Sequence, residues 1–429
     1  MQGTPACRLH LLMFIGRVMF IVTLIIKRKR RQAGARRQLA KRGTTLLDRC
    51  MKQGLFMLTI LLTCGLTYAQ KPTINLTIHS RVDTSKQETK EIVTLWVNYL
   101  SSKPDSIYDN PYWNEEEKKK YRDFDFTRPF IYQFPSAQLL NYYKPTILSV
   151  EKEDDNYAIR TLFSADGLED IYRKSNPWCI TKLYAVKENN QWKLKNAMPI
   201  LTQYWKRKTI GKITFLYPPE HKFNEALAEK ANKFCDSITS KFQLTDWKPF
   251  DFYITKSGDE LGKLLGFDFY FTGYSTGMGM NERRTLLCGI DSEWYPHEFV
   301  HMIDGDYKRH GIVEEGFATW VSGQVSSETT FEVAAKTLTQ ALSKNNAITF
   351  EDIVNKKWGW QNASLYYYST GAILCKLVYD KGGVSAVKKL LMTPADNDKL
   401  IQTICELLKI KVTDFNKFMR TETLKYLKN

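Results

Sequence analysis

His297-Glu298-Phe299-Val300-His301 is the stretch of this 429-residue chain whose reading decides the fold. Residues four apart on a helix stand one turn above each other on the same face, so both imidazoles can reach one zinc ion. Glu298 lies beside that face, close enough to take a proton from an attacking water without being a ligand itself. The flanks support a helix: the strand-like residues 284–290 end just before it, Pro296 suits a first helical turn, and the apolar pattern runs to about Ile303. The bland alternative is a pair of surface histidines on an ordinary helix, and this context argues against it.

Two imidazoles leave a catalytic zinc one protein ligand short. A third histidine six residues after His301 would define the metzincin pattern, but Tyr307 and Asp304 stand where that pattern has His and Gly. His310 is the other nearby histidine, in a polar loop bounded by Gly305 and Gly311. The second candidate is Glu315, in Val313-Glu314-Glu315-Gly316-Phe317-Ala318-Thr319-Trp320. This stretch reads as a helix, and Gly316, Ala318, Thr319 and Ser322 are small enough to let it pack closely against the first.

Here the sequence resembles the gluzincins, the peptidase-MA-like group of thermolysin and aminopeptidase N. In those enzymes an (Asn/Ser)-Glu-Gly-(Phe/Leu)-Ala stretch donates the third zinc ligand, which the resemblance places on Glu315. Glu314 departs from the usual Asn or Ser, and the gap after His301 is shorter than in the aminopeptidase-N group. Further on, Tyr366-Tyr367-Tyr368-Ser369-Thr370-Gly371-Ala372 is similar to the Tyr-x-x-Gly-Ala stretch whose tyrosine hydrogen-bonds the oxyanion. By position that tyrosine is Tyr368, with Tyr367 as the alternative. Gly277-Met278-Gly279-Met280-Asn281-Glu282 shares residues with the amine-holding motif of the aminopeptidase-N group but not their order, so exopeptidase action is not supported. Asp304, on the face of the two histidines, is a candidate acceptor for a zinc-binding imidazole's second N–H.

The rest of the chain reads as α+β. Residues 85–101 are amphipathic and helical in period, and 145–150, 157–163, 178–186 and 191–196 are strand-like. This helix and curled antiparallel sheet are similar in pattern to the cone fold of nuclear transport factor 2. They make an accessory domain over 70–205. An exposed basic link at 204–210 then leads into a metallopeptidase domain over 206–429. That domain has strands at 213–217, 250–255 and 284–290, a helix at 225–242 and a helical C-terminal half, the layout of a zincin.

Charge and leader sequence set the compartment. Residues 1–69 carry 13 Lys and Arg against the single acid Asp48, while the remainder holds 49 basic and 45 acidic residues. The folded part is nearly balanced, which excludes a nucleic-acid partner. Residues 51–69 form a signal peptide with Lys52, an apolar run from Leu55 to Leu66 and small residues before cleavage after Ala69. A lipid anchor on Cys64 is the alternative. Residues 1–50 read as a mis-called start upstream of Met51, or as a membrane anchor with a basic flank. The five cysteines beyond Ala69 lack CxxC spacing and read as core residues.

The sequence therefore describes an exported zinc peptidase acting in the periplasm, envelope or medium on peptide or protein substrates. One Zn2+ per chain would sit on His297, His301 and Glu315, with Glu298 and Tyr368 as the catalytic pair. Two alternatives stand beside it: a catalytically silent zinc-containing envelope binding or scaffold protein, and a hydrolase of non-peptide amides or esters.

Overall fold

Apolar residues at helical spacing form the first helix of the described chain. Helix α1 (Gln87–Leu100) buries Ile92, Leu95, Trp96 and Tyr99 on one face. The computed structural model describes residues 76–427 apart from 103–109, 122–123, 128–143, 165–176, 271–272, 305–308 and 356–359. The expected signal peptide at 51–69, the extension at 1–50 and Cys64 lie outside the described residues. Among the described residues, no helix is long and apolar enough to cross a membrane.

The chain is α+β. After the short strand β1 (Thr77–Ile78), α1 and α2 (Glu115–Lys120) come the long antiparallel strands β2 (Lys144–Glu153), β3 (Asn156–Ser164), β4 (Cys179–Glu188) and β5 (Gln191–Lys195). They pair in sequence order, with β1 parallel on the edge of β2. Burial alternates along most of β2 and β3, as a sheet with one better-covered face requires. Helix α3 (Ala197–Leu201) follows.

Residues 206–210, expected as a link, instead form strand β6 (Lys206–Ile210), paired with β7 (Ile213–Tyr217) across a two-residue turn at Gly211-Lys212. Its charges sit on an exposed sheet edge, which is why they do not read as strand. Helix α4 (Glu225–Phe242), strand β8 (Phe250–Ile254), helix α5 (Gly258–Leu264) and strands β9 (Phe267–Tyr270), β10 (Gly277–Met280) and β11 (Thr285–Cys288) complete the mixed half. The second sheet runs β10-β11-β8-β7-β6, with β10 antiparallel to β11 on its edge. Strand β9 leaves this half and pairs with β4, joining the first sheet.

Helices α6 (Pro296–Ile303), α7 (Gly311–Ser322), α8 (Phe331–Lys344), α9 (Phe350–Val354), α10 (Trp360–Leu391), α11 (Asn397–Leu408) and α12 (Phe415–Leu424) follow. Helix α10 is broken at Gly383, which has φ 64°. Residues Ile74–Asn429 form one compact unit, so the expected boundary at 205/206 lies inside it. Cys179, Cys235, Cys288, Cys375 and Cys405 are all buried and unpaired.

Candidate metal centre and cleft

Helix α6 carries both motif histidines. Pro296 opens it, and Phe299, Val300, Met302 and Ile303 anchor its inner face in the core, with Phe299 edge-on to Phe252 of β8 at 5.4 Å. That anchoring leaves His297, Glu298 and His301 facing a cavity of about 550 Å³.

Helix α7 supplies Glu315. The His310 side chain caps its start, accepting from the Ile312 amide at 3.2 Å, while His310 Nε2 meets Asn397 Oδ1 at 2.8 Å. His310 is therefore occupied as a cap and stands outside the donor cluster. Gly316 does not face α6, as its small size suggested. It meets Gly371 of α10, where a Cβ on either residue would run into the other helix's backbone. Small residues announce a close approach but do not name the partner.

Three ligating atoms converge. His297 Nε2 is 3.2 Å from Glu315 Oε2 and 3.2 Å from His301 Nε2, and His301 Nε2 is 3.4 Å from Glu315 Oε2. These three residues are the one group of metal-ligating type and spacing among the described residues. Helix α7 ends on Gly323 in the left-handed conformation (φ 73°), and the turned chain presents the Gln324 carbonyl to His297 Nδ1 at 2.9 Å. A carbonyl only accepts, so Nδ1 donates, and Nε2 is the ring atom turned to the Glu315 carboxylate.

The donor set fits a small dication. Bonds of about 2.1 Å in a tetrahedron separate ligand atoms by about 3.4 Å, close to the spacings present. The three atoms lie close enough together to share one cation. Burial works to lower the His301 pKa. The hydrogen bond and charge of Glu315, with Glu298 and Glu314 behind it, push it up to about 9. Burial likewise works to raise Glu315, yet the two histidines hold it well below the usual carboxylate range.

Glu298 lies outside the cluster, its Oε2 accepting from the Gly279 amide of β10 at 3.1 Å. Asn281 donates from Nδ2 to the His301 carbonyl, one of the orphan acceptors at the end of α6. Edge strand β10 thus borders the cavity, and β11 lies one strand inward.

Of the three consecutive tyrosines, Tyr368 lines the cavity. Its ring stacks on His297 with centroids 5.7 Å apart, and its hydroxyl feels the charge of Glu315. Burial and the Glu315 and Glu298 charges push its pKa up, so it keeps its proton. Tyr367 turns toward the start of α7, its Oη 2.8 Å from where a Cβ on Gly311 would stand. Asp304 does not serve the histidines as expected. It is buried against Arg309 Nη1 at 2.6 Å, because a buried carboxylate takes a guanidinium within reach as its partner.

The sequence reading missed the roles of Gln324, Gly279 and Asn281, which act through backbone groups or helix-end contacts that leave no motif. No protein-family model and no curated protein matches this chain.

Proposed function

We propose that this chain is an exported zinc metallopeptidase of the gluzincin kind, hydrolysing peptide bonds with water activated at the metal. The reading divides it into an accessory cone-like part over 70–205 and a zincin-type part over 206–429. The observation that carries it is the convergence of His297, His301 and Glu315, with Glu298 beside them, in a cavity bordered by a strand edge.

A zinc ion on these residues would lower the pKa of water toward neutrality and polarise a carbonyl. The protein supplies the remaining chemistry. Glu298, steadied by the Gly279 amide, takes the proton of the attacking water and passes it to the departing amine. Tyr368 keeps its hydroxyl hydrogen and can offer it to the oxygen on which negative charge develops. The outer edge of β10 offers backbone groups to an extended substrate, the usual way a sheet edge takes up a peptide.

Glu298→Gln tests the proposal. The variant should keep its metal and its fold and lose about 10²–10⁴-fold in kcat on a peptide found by library profiling. Undiminished turnover removes the mechanism. Zinc-loaded wild-type protein inert on every peptide favours a binding protein.

A further inference from the structure

We infer that Glu314 makes this cavity select substrates carrying a positive charge, an ammonium or guanidinium group, beside the scissile bond. The inference rests on the peptidase reading above and deepens it.

The argument begins with the charges around the cavity. Glu298, Glu314 and Glu315 line it, and among the described residues no lysine or arginine does. A dication on the donor set is balanced by Glu315 and Glu298. Glu314 is left over. Its side chain is 45% exposed, against 27% for Glu315, so its carboxylate stands in the accessible part of the cavity. Its nearest cationic neighbour among the described residues is His301, with Nδ1 3.9 Å from Glu314 Oε1, beyond hydrogen-bond reach. A histidine that gives Nε2 to a metal is neutral and does not cancel that charge.

Asn281, on the same wall, is fixed by its Nδ2 donation to the His301 carbonyl, and its Oδ1 is shielded from the cavity. The remaining polar lining is hydroxyl, from Ser275, Thr276, Ser326 and Ser364. The wall is rich in acceptors and short of positive charge, the complement of a cationic ligand. At the position where the resembling enzymes have Asn or Ser, this chain has a full negative charge.

The test measures binding and cleavage side by side, on the full chain. The probes are short alanine-based peptide amides in four forms: acetylated and neutral, free at the amino terminus, acetylated with one lysine, and acetylated with one glutamate. Binding is read calorimetrically on Glu298→Gln protein, zinc-loaded and chelator-treated, with and without Glu314→Gln. One or both cationic forms should bind about tenfold tighter than the neutral twin at low salt, with the gap closing at high salt. Which one does so distinguishes an amino-terminal ammonium from a basic side chain. In Glu314→Gln the ratio should fall to near one, and Glu314→Asp should restore part of it.

An unchanged ratio in Glu314→Gln, or preference for the neutral peptide, overturns the inference. Loss of zinc in Glu314→Gln with an unchanged ratio in metal-free protein assigns Glu314 to holding His301, and also overturns it. The two readings fail separately. A chain that takes no zinc and cuts no peptide, yet keeps the Glu314-dependent preference, sinks the peptidase reading alone. Zinc-dependent cleavage without that preference sinks the selectivity alone.

Discussion

Gly316→Ala is the sharpest test of how the proposed site is held together. Glu315 is on α7 and Tyr368 is on α10, and these helices touch at Gly316 and Gly371. A Cβ on Gly316 would stand 2.6 Å from Gly371 O and closer still to that residue's Cα and carbonyl carbon. Ordinary carbon contacts begin near 3.5 Å, so the helices must separate by about 1 Å. Backbone atoms cannot rotate aside, which places the cost at the upper end of the overpacking range, about 3 kcal/mol. Alanine's better helix propensity returns about 1 kcal/mol, leaving a net loss of about 2 kcal/mol. Glu315 is the neighbouring residue, and metal–ligand distances tolerate only about 0.2 Å. Zinc affinity should therefore fall at least tenfold, a loss of the size seen when a ligand's supporting contact is removed. Urea denaturation of metal-free protein reads the first effect, and competition with a chromogenic chelator reads the second. Stability within about 0.5 kcal/mol of wild type and zinc affinity within twofold would refute the reasoning.

Three further outcomes follow from the same geometry. Purified protein should hold about one zinc per chain, lost in His301→Ala and Glu315→Gln but kept in His310→Ala, as metal analysis would show. The reverse result for Glu315 and His310 would change the third ligand. Tyr368→Phe should lower kcat with little change in KM, since its hydrogen bond to the oxyanion exists only as charge develops; a pure KM effect counts against the role. His221 is held between Asp291 at 2.7 Å and Glu293 at 2.8 Å. Burial acts to lower its pKa, but the two carboxylates raise it overall, so its contribution to stability is full below about pH 6.5 and is lost as pH rises through the higher folded value. The difference in urea midpoint between wild type and His221→Gln should therefore be larger at acid than at alkaline pH, and a constant difference would contradict the ion pairing.

How much of this was legible depends on what each residue has to do. The spacing of His297 and His301 is a statement about helix geometry, so it places both rings on one face, and the structure brings Glu315 to them. The long strands β2 to β5 show in the sequence because one face of their sheet is covered and the alternation survives. Strand β10 does not show, because Gly-Met-Gly-Met has too few side chains to display a period. Asp304 illustrates a different limit. Its place on the histidine face was readable, but its ion pair with Arg309, five residues on, follows no helical spacing that would announce it.

The Gly-Met alternation of β10 becomes intelligible once both faces of its sheet are considered. On β7, β8 and β11, Phe215, Phe252, Ile254, Leu286 and Cys288 belong to the core beneath the helices. Leu216, Tyr253 and Leu287, one residue out of phase, belong to the core of the amino-terminal half. Successive side chains of a strand point to opposite faces, so this sheet is covered on both. Met278 and Met280 of β10 follow the second set and pack on the amino-terminal core, which turns Gly277 and Gly279 toward α6 and the cavity. Methionine below anchors the edge strand, and glycine above leaves room for Glu298 to approach and for the Gly279 amide to meet it. Strand β9, paired with β4 of the first sheet, fixes the chain shortly before β10 begins. The amino-terminal half thus forms the floor on which the cleft's edge strand rests, and the position of the proposed base depends on packing more than a hundred residues away in sequence.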